Sequence, residues 1–295
     1  MKIISINMER FDIPTLVKWA GGKKQLLSQL QELLPQKIER YFEPFVGGGA
    51  VAFYIIQKYN PKEVLLSDIN EELINCYKVI KENVEELILK LQFHKTHHSK
   101  EYYYNIRELK PQILSNIERA SRTIYLNKTC FNGLYRVNSQ NKFNVPIGSY
   151  KNPQIFSDQE LKFISNLLKN VKIEVMSFEK ILSFVKQGDF IYFDPPYYPL
   201  QNGKNFTTYT KERFLEEEQK KLGDVFKELN KRKCNIMLSN SDTKFIKDIY
   251  NQFNINIVKA NRMINCDATK RGKINEVIIT NYLIQEKIAP LILNT

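Results

Sequence analysis

The chain has 295 residues, 43% of them hydrophobic and 26% charged, enough to bury a sizeable core in one large domain or two smaller ones. Lysine and arginine outnumber aspartate and glutamate by 44 to 32, and the resulting net charge of +12 favours a polyanionic partner. The four cysteines lie far apart with no CxxC pair, Met1 to Pro14 lacks the apolar centre of a signal peptide, and the longest apolar run, Ala50 to Ile56, is too short to span a bilayer; this argues against a disulfide framework, a zinc site or a membrane anchor and suits a reducing cytoplasm.

Taken in order, Leu16 to Lys24 sets the only tryptophan, Trp19, among lysines and beside Gly21-Gly22, ahead of an amphipathic run from Gln25 to Leu34. That is the composition of a ligand-approach loop opening a helix, with backbone N–H groups and lysines available to an anion. Arg40 to Gly49 reads as a strand followed by a turn of pattern FxGxG, containing Phe45, Gly47 and Gly49, with a helix over Ala50 to Lys58. Backbone without Cβ lets a ligand approach closely there. A second strand, Glu63 to Ser67, delivers Asp68 19 positions after Gly49, the spacing at which an acid accepts from ribose hydroxyls in nucleoside-binding sheets. The absence of GxGxxG argues against a dinucleotide.

Glu71 to Leu91 carries a helical pattern. His94, His97 and His98 follow without a carboxylate or cysteine to complete a metal set, so they read as a solvated polar face and no metal is expected. From Arg119 to Tyr150, Arg122, Lys128, Arg136 and Lys142 are interleaved with Tyr125, Phe131, Tyr135, Phe143 and Tyr150. Basic groups suit phosphates, arginine suits a guanine edge, and a loop aromatic can wedge into a base step. Within this segment the pattern predicts a helix over Thr123 to Lys128, a turn at Asn132-Gly133 and a hairpin from Tyr135 to Val145 across Asn138 to Asn141.

Lys172 to Phe178 reads as a strand with a helix from Glu179. Phe190 to Phe193 is a continuous apolar run, which suits a strand buried on both faces of a parallel sheet. It runs into Asp194-Pro195-Pro196-Tyr197, at the strand end where open α/β sheets keep their ligands. Gln201 to Tyr209 has the composition of a loop that orders over bound DNA. A helix over Glu212 to Lys231, a strand over Asn235 to Ser239, and a terminal hairpin of Ile255 to Ala260 and Glu276 to Leu283 complete the pattern, the hairpin joined by a basic loop with Arg262, Lys270, Arg271 and Lys273.

The acid-proline-proline-aromatic turn suits amino-methylation. An exocyclic amine is a poor nucleophile because its lone pair is delocalised into the ring; a catalyst must accept both N–H hydrogens and aim the lone pair at an electrophilic methyl. Asp194 supplies one acceptor and the Pro195 carbonyl the other, while the rings of Pro195 and Pro196 fix φ and remove competing donors. Tyr197 offers a flat face to an extruded base.

With the Trp19 loop, the glycine turn, Asp68, Asn132 to Arg136 and Asp194 to Tyr197 in this order, the chain resembles the Dam family of DNA adenine-N6 methyltransferases over Leu16 to Tyr282, and within it the Dam-like methylases of GATC-specific restriction systems. The resemblance implies an α/β, Rossmann-like S-adenosylmethionine-dependent methyltransferase sheet over 1–75 and 166–295, with a helical DNA-recognition insert and β-hairpin over 76–165. It implies S-adenosylmethionine contacts at Trp19, Lys23, Phe45, Gly47, Gly49, Asp68 and Asp194. It places DNA readers at Lys18 and Arg136 for guanines, Leu134 and Pro146 for thymine, and Phe131 and Asn132 near the displaced base. It further implies double-stranded DNA as partner, a cognate restriction endonuclease as functional companion, and residence in the cytoplasm. Gly148-Ser149-Tyr150 stands where relatives commonly have Gly-Arg-Tyr, so one basic DNA contact is missing. The rival readings are cytosine-N4 or RNA amino-methylation, a catalytically silent DNA-binding regulator, and, less favoured, a protein methyltransferase.

Overall fold

In the computed structural model residues 13–19, 21–200, 214–261 and 273–283 are described. Seven strands form one sheet: β1 (Arg40–Glu43), β2 (Glu63–Asp68), β3 (Val171–Val175), β4 (Phe190–Phe193), β5 (Asn235–Ser241), β6 (Asn254–Asn261) and β7 (Lys273–Thr280). Their spatial order is β3-β2-β1-β4-β5-β7-β6, with β7 antiparallel to both neighbours and the pairs among β1 to β5 parallel. This is the Rossmann-like methyltransferase sheet that the sequence implied. The order reverses between β1 and β4, which makes the crevice beyond their carboxyl ends the natural ligand site.

Alternation along each strand builds two cores. Tyr41, Val64, Leu66, Phe190 and Tyr192 face one side, where α1 (Leu27–Leu33), α2 (Ala50–Tyr59) and α3 (Glu71–Glu82) pack. Phe42, Leu65, Ile191 and Phe193 face the other, under α8 (Glu216–Lys231) and α9 (Lys244–Ile249). All four residues of β4 are buried, as its unbroken apolar run predicts. Fully burying one such aromatic contributes about 1.5–3 kcal/mol.

The connection from β2 to β3 is long and helical, holding α3, α4 (Val84–Thr96), α5 (Lys100–Glu108), α6 (Asn116–Thr129) and α7 (Asp158–Leu168). Two corrections to the sequence reading fall here and beyond. The pattern over Glu71 to Leu91 is two helices, because Asn83 leaves helical φ/ψ and its N–H closes α3 on the Val79 carbonyl. The hairpin over Tyr135 to Val145, by contrast, is present in short form: Val137 bridges Phe143, the Asn138 N–H donates to the Lys142 carbonyl at 2.9 Å and the Asn144 N–H to the Arg136 carbonyl at 3.1 Å, and the Asn138 side chain accepts from Gln140 and Lys142. The helix from Glu179 is only a 3-10 turn, Phe178–Ser183. The terminal hairpin is present as β6 and β7; Arg262, Lys270, Arg271 and the Gln201 to Tyr209 loop lie outside the described residues.

Candidate active site

Four strand ends meet at the crevice. After β4, Asp194 lies with its side chain 19% exposed, and Lys23, 3% exposed, places Nζ 2.6 Å from its Oδ1. The same ammonium donates to the Gly21 carbonyl at 2.8 Å and sits 4.7 Å from the centre of the Tyr197 ring. Lys23 is therefore not available to an anion, as the loop's composition had suggested; it is engaged by the acid. Burial pushes the Asp194 carboxyl up to about 6, against the pull of Lys23, with Glu276 adding to the upward push.

The rest of the turn is pinned from behind. The buried Gln219 donates Nε2 to the Pro196 carbonyl at 2.9 Å and accepts from Asn240 Nδ2 at 3.0 Å, while Asn240 Oδ1 accepts the Tyr198 N–H at 3.1 Å. Tyr197 donates its hydroxyl to Glu276 Oε2 at 2.7 Å, which fixes the plane of its ring. Pro196 thus has its carbonyl occupied, and among the described residues none donates to that of Pro195. Next to that carbonyl, Asp194 offers Oδ2 as a second acceptor, its Oδ1 being held by Lys23.

Beside it lies the glycine turn after β1. Gly47 has φ 48° and Gly49 φ 77°, and a Cβ at Gly49 would come within 2.5 Å of the Tyr77 hydroxyl and 2.8 Å of Phe53. Only glycine fits without displacement. Trp19 packs against Gly47 and, at 5.1 Å between centroids, against Tyr135. Phe45 lines the same corner, stacked on Phe178 at 5.5 Å. Asp68 Oδ1 accepts from the Asn70 N–H at 3.0 Å and Oδ2 from Gly47 at 3.4 Å. Burial raises its carboxyl to about 6, opposed by those backbone donors. Each oxygen holds one backbone donor and keeps a lone pair, so a carboxylate with room for hydroxyl donors stands next to a turn open to close approach. These residues fit a nucleoside-bearing methyl donor.

A second cluster forms around the Phe131–Gly133 turn, where Asn132 (φ 55°) and Gly133 (φ 64°) are left-handed. Phe131, Asn132, Arg136 and Pro146 are exposed on it, with Leu134 half-buried, and the Phe131 N–H reaches the Pro146 carbonyl at 2.9 Å. Lys18 joins them, its Nζ 4.8 Å from the centre of the Tyr150 ring. Arg136 Nε donates to Asn144 Oδ1 at 2.8 Å. All six sequence-predicted DNA readers thus lie on or beside this segment.

A family model for D12 class N6 adenine-specific DNA methyltransferases matches residues 19–264. The chain belongs to this family. Among its relatives, the Type II methyltransferase M.MjaIII of Methanocaldococcus jannaschii is 46% identical over 92% of this chain and 100% of its own. The Type II methyltransferase M1.LlaDCHI of Lactococcus lactis subsp. cremoris is 44% identical over 94% and 98%, and the DNA adenine methylase of Haemophilus influenzae 37% over 89% and 91%. The family and fold imply S-adenosylmethionine as methyl donor and DNA as substrate.

Within this D12-class methyltransferase several side chains depart from their reading in the sequence. Arg122 is 5% exposed and donates to the Ile106 and Arg107 carbonyls, so it is not free for phosphate. Tyr125, Tyr135 and Phe143 are core, leaving Phe131 and Tyr150 as the exposed aromatics of the basic segment. His94 is buried rather than solvated, stacked on Tyr125 and bonded to Tyr102 and Ser121, and burial lowers its pKa to about 4. Among the described residues no group of His, Cys, Asp or Glu is arranged for a metal, and no helix is long and apolar enough to cross a membrane.

Glu43 went unread as a site residue although it ends β1 directly behind the glycine turn. It is 2% exposed, accepts from Tyr41 at 2.6 Å, and burial holds its carboxyl well above the ordinary range despite that bond, with Asp194 adding to the effect. An acid terminating a buried strand was the available signal. Glu276 carried none, since its partner is distant in sequence.

Proposed function

We propose that this D12-class enzyme methylates N6 of an adenine extruded from duplex DNA, within GATC, as the modification half of a restriction system in the cytoplasm. S-adenosylmethionine, when bound, supplies an electrophilic methyl; Trp19, Phe45, Gly47, Gly49 and Asp68 would hold its nucleoside end, and Lys23 and Asp194 border its reactive end. Asp194 accepts one amino hydrogen and the Pro195 carbonyl the other, which aims the nitrogen lone pair along the line of attack. Transfer would break the donor's methyl–sulfur bond as the N–C bond forms, the amine would become cationic, and Asp194 would take its surplus proton. Tyr197 holds the base by stacking, its hydroxyl tied to Glu276.

The observation that carries this reading is that, in a turn anchored through Pro196, Tyr197 and Tyr198, the Pro195 carbonyl meets no donor among the described residues and Asp194 holds a single cation, Lys23, on Oδ1. Lys18, Phe131, Asn132, Leu134, Arg136 and Pro146 read and displace the DNA bases; residues 76–165 serve as the recognition part, and 1–75 with 166–295 as the catalytic part. Two relatives named as Type II methyltransferases support the restriction role, with a cognate endonuclease as functional companion. Mapping N6-methyladenine in DNA from cells expressing the protein tests the reading: modification confined to GATC supports it, and modification of another sequence, or of cytosine, refutes it.

A further inference from the structure

Asn127, on α6, belongs to no group discussed so far, yet it is 1% exposed and spends its whole carboxamide on two distant stretches of backbone. Its Oδ1 accepts the Lys18 N–H at 2.8 Å and its Nδ2 donates to the Lys18 carbonyl at 2.9 Å, a two-point pairing that imitates a neighbouring strand. The second Nδ2 hydrogen goes to the Gly133 carbonyl at 3.1 Å. Turning the amide over would set a donor against the Lys18 N–H and an oxygen against two carbonyls, so the network admits one orientation. Buried polar groups satisfied this fully act as rigid joints, because breaking any one bond strands a partner away from water.

The joint is reinforced by shape. A Cβ on Gly133 would lie 2.3 Å from Lys18 Cδ and 2.7 Å from its Cβ, so the two backbones approach only because position 133 has no side chain. Lys18 and the Phe131–Leu134 turn, which begins 113 positions later, are thereby held as one surface. At its other end the Lys18 segment is tied down by the Lys23–Asp194 pair.

We propose that Asn127 is a positioning residue for target discrimination: it fixes the Lys18 backbone against the recognition turn and so sets which base edge the Lys18 ammonium reaches. The inference rests on the reading of Lys18 as a base contact. Direct base contacts typically discriminate by about 1–3 kcal/mol per base pair, or roughly 5- to 150-fold, and depend on geometry that a loosened anchor loses.

The test uses the full chain and duplexes carrying the mapped target site, together with duplexes in which each base pair is replaced in turn. For the parent, Lys18→Ala, Asn127→Ala and Gly133→Ala, kcat/KM is measured on every duplex and S-adenosylmethionine binding by calorimetry. Asn127→Ala should relax discrimination by about tenfold at the same base pair that Lys18→Ala relaxes, with cofactor affinity kept. Gly133→Ala should do likewise by pushing the Lys18 side chain aside, and it carries the test alone if Asn127→Ala does not fold. A merely structural role would lower kcat/KM on all duplexes by one factor and overturn the inference. If Lys18→Ala relaxes one position while both other variants discriminate normally, the positioning role is wrong and the reading of Lys18 stands. If Lys18→Ala leaves every ratio unchanged, that reading falls and the inference with it.

Discussion

Replacing Lys23 by methionine removes the one cation among the described residues that opposes the burial of Asp194. In the parent, burial and Glu276 push the Asp194 carboxyl up while Lys23, 2.6 Å away, pulls it down, and the balance is about 6. Tyr192 and Tyr197 face the same carboxylate but stay neutral, because burial holds both phenols well above their ordinary range. Asp194 can take the surplus proton of the methylated amine only when ionised, so methyl transfer fails as pH falls through its pKa. An adjacent opposite charge lowers a carboxyl by roughly one to three pH units; its loss moves the acid limb from near pH 6 to between about pH 7 and 9. With a half-point near 8, about a tenth of the variant is ionised at pH 7, a roughly tenfold loss that alkaline pH restores. Single-turnover transfer of labelled methyl groups into duplex DNA reads this without interference from product release. Lys23→Arg, which keeps the charge, should leave the limb near its parent position. An acid limb unmoved in Lys23→Met, with cofactor bound at saturation, would refute the coupling.

Three further outcomes follow from the same geometry. Tyr197→Ala removes a stacking face worth about 1–3 kcal/mol per base, so kcat/KM on duplex DNA should fall about 5- to 150-fold, while Tyr197→Phe, which loses only the bond to Glu276, should cost about threefold or less; equal rates in Tyr197→Ala and parent would contradict the stacking role. Gly49→Ala forces a Cβ into Tyr77 and Phe53 at φ 77°, costing about 1–3 kcal/mol, and should lower both the thermal midpoint and cofactor affinity, as unfolding scans and calorimetry would report. Arg40→Met leaves Asp189, 3% exposed and at the opposite end of β4 from Asp194, without its ion-pair partner and with the Lys186 N–H at 2.7 Å. Losing one partner of a partly compensated buried group costs about 1–3 kcal/mol, so urea unfolding should shift while transfer in the folded variant keeps its parent rate.

Much of the sheet was legible because its evidence is local. Phe190 to Phe193 has no polar residue to turn outward and is buried throughout, and the acid at the end of β2 and the glycines after β1 sit where strand periodicity leaves them. The helices were less legible: α5, α7 and α9 went unread, and Asn83 interrupts a run whose apolar period continues across it, a break that period alone does not mark. His94 shows the opposite failure: its partners Tyr102 and Ser121 belong to other helices, and no local pattern announces their approach. The site followed the same division. Asp194, Tyr197, Asp68 and the recognition turn carry their chemistry in adjacent residues, whereas the Lys23–Asp194 and Tyr197–Glu276 pairs and the Asn127 joint join residues 79 to 171 positions apart. Those links arise only when the sheet brings its strand ends together.

The central claim is that the Asp194 carboxylate, together with the Pro195 carbonyl, holds the target amine for attack. Asp194→Asn keeps the shape of the side chain but replaces one acceptor with a donor facing Lys23. Single-turnover methyl transfer to duplex DNA, measured beside calorimetric binding of S-adenosylmethionine, should show a rate lower by about 10²- to 10⁴-fold with the cofactor still bound. Transfer at the parent rate in that variant would contradict the account.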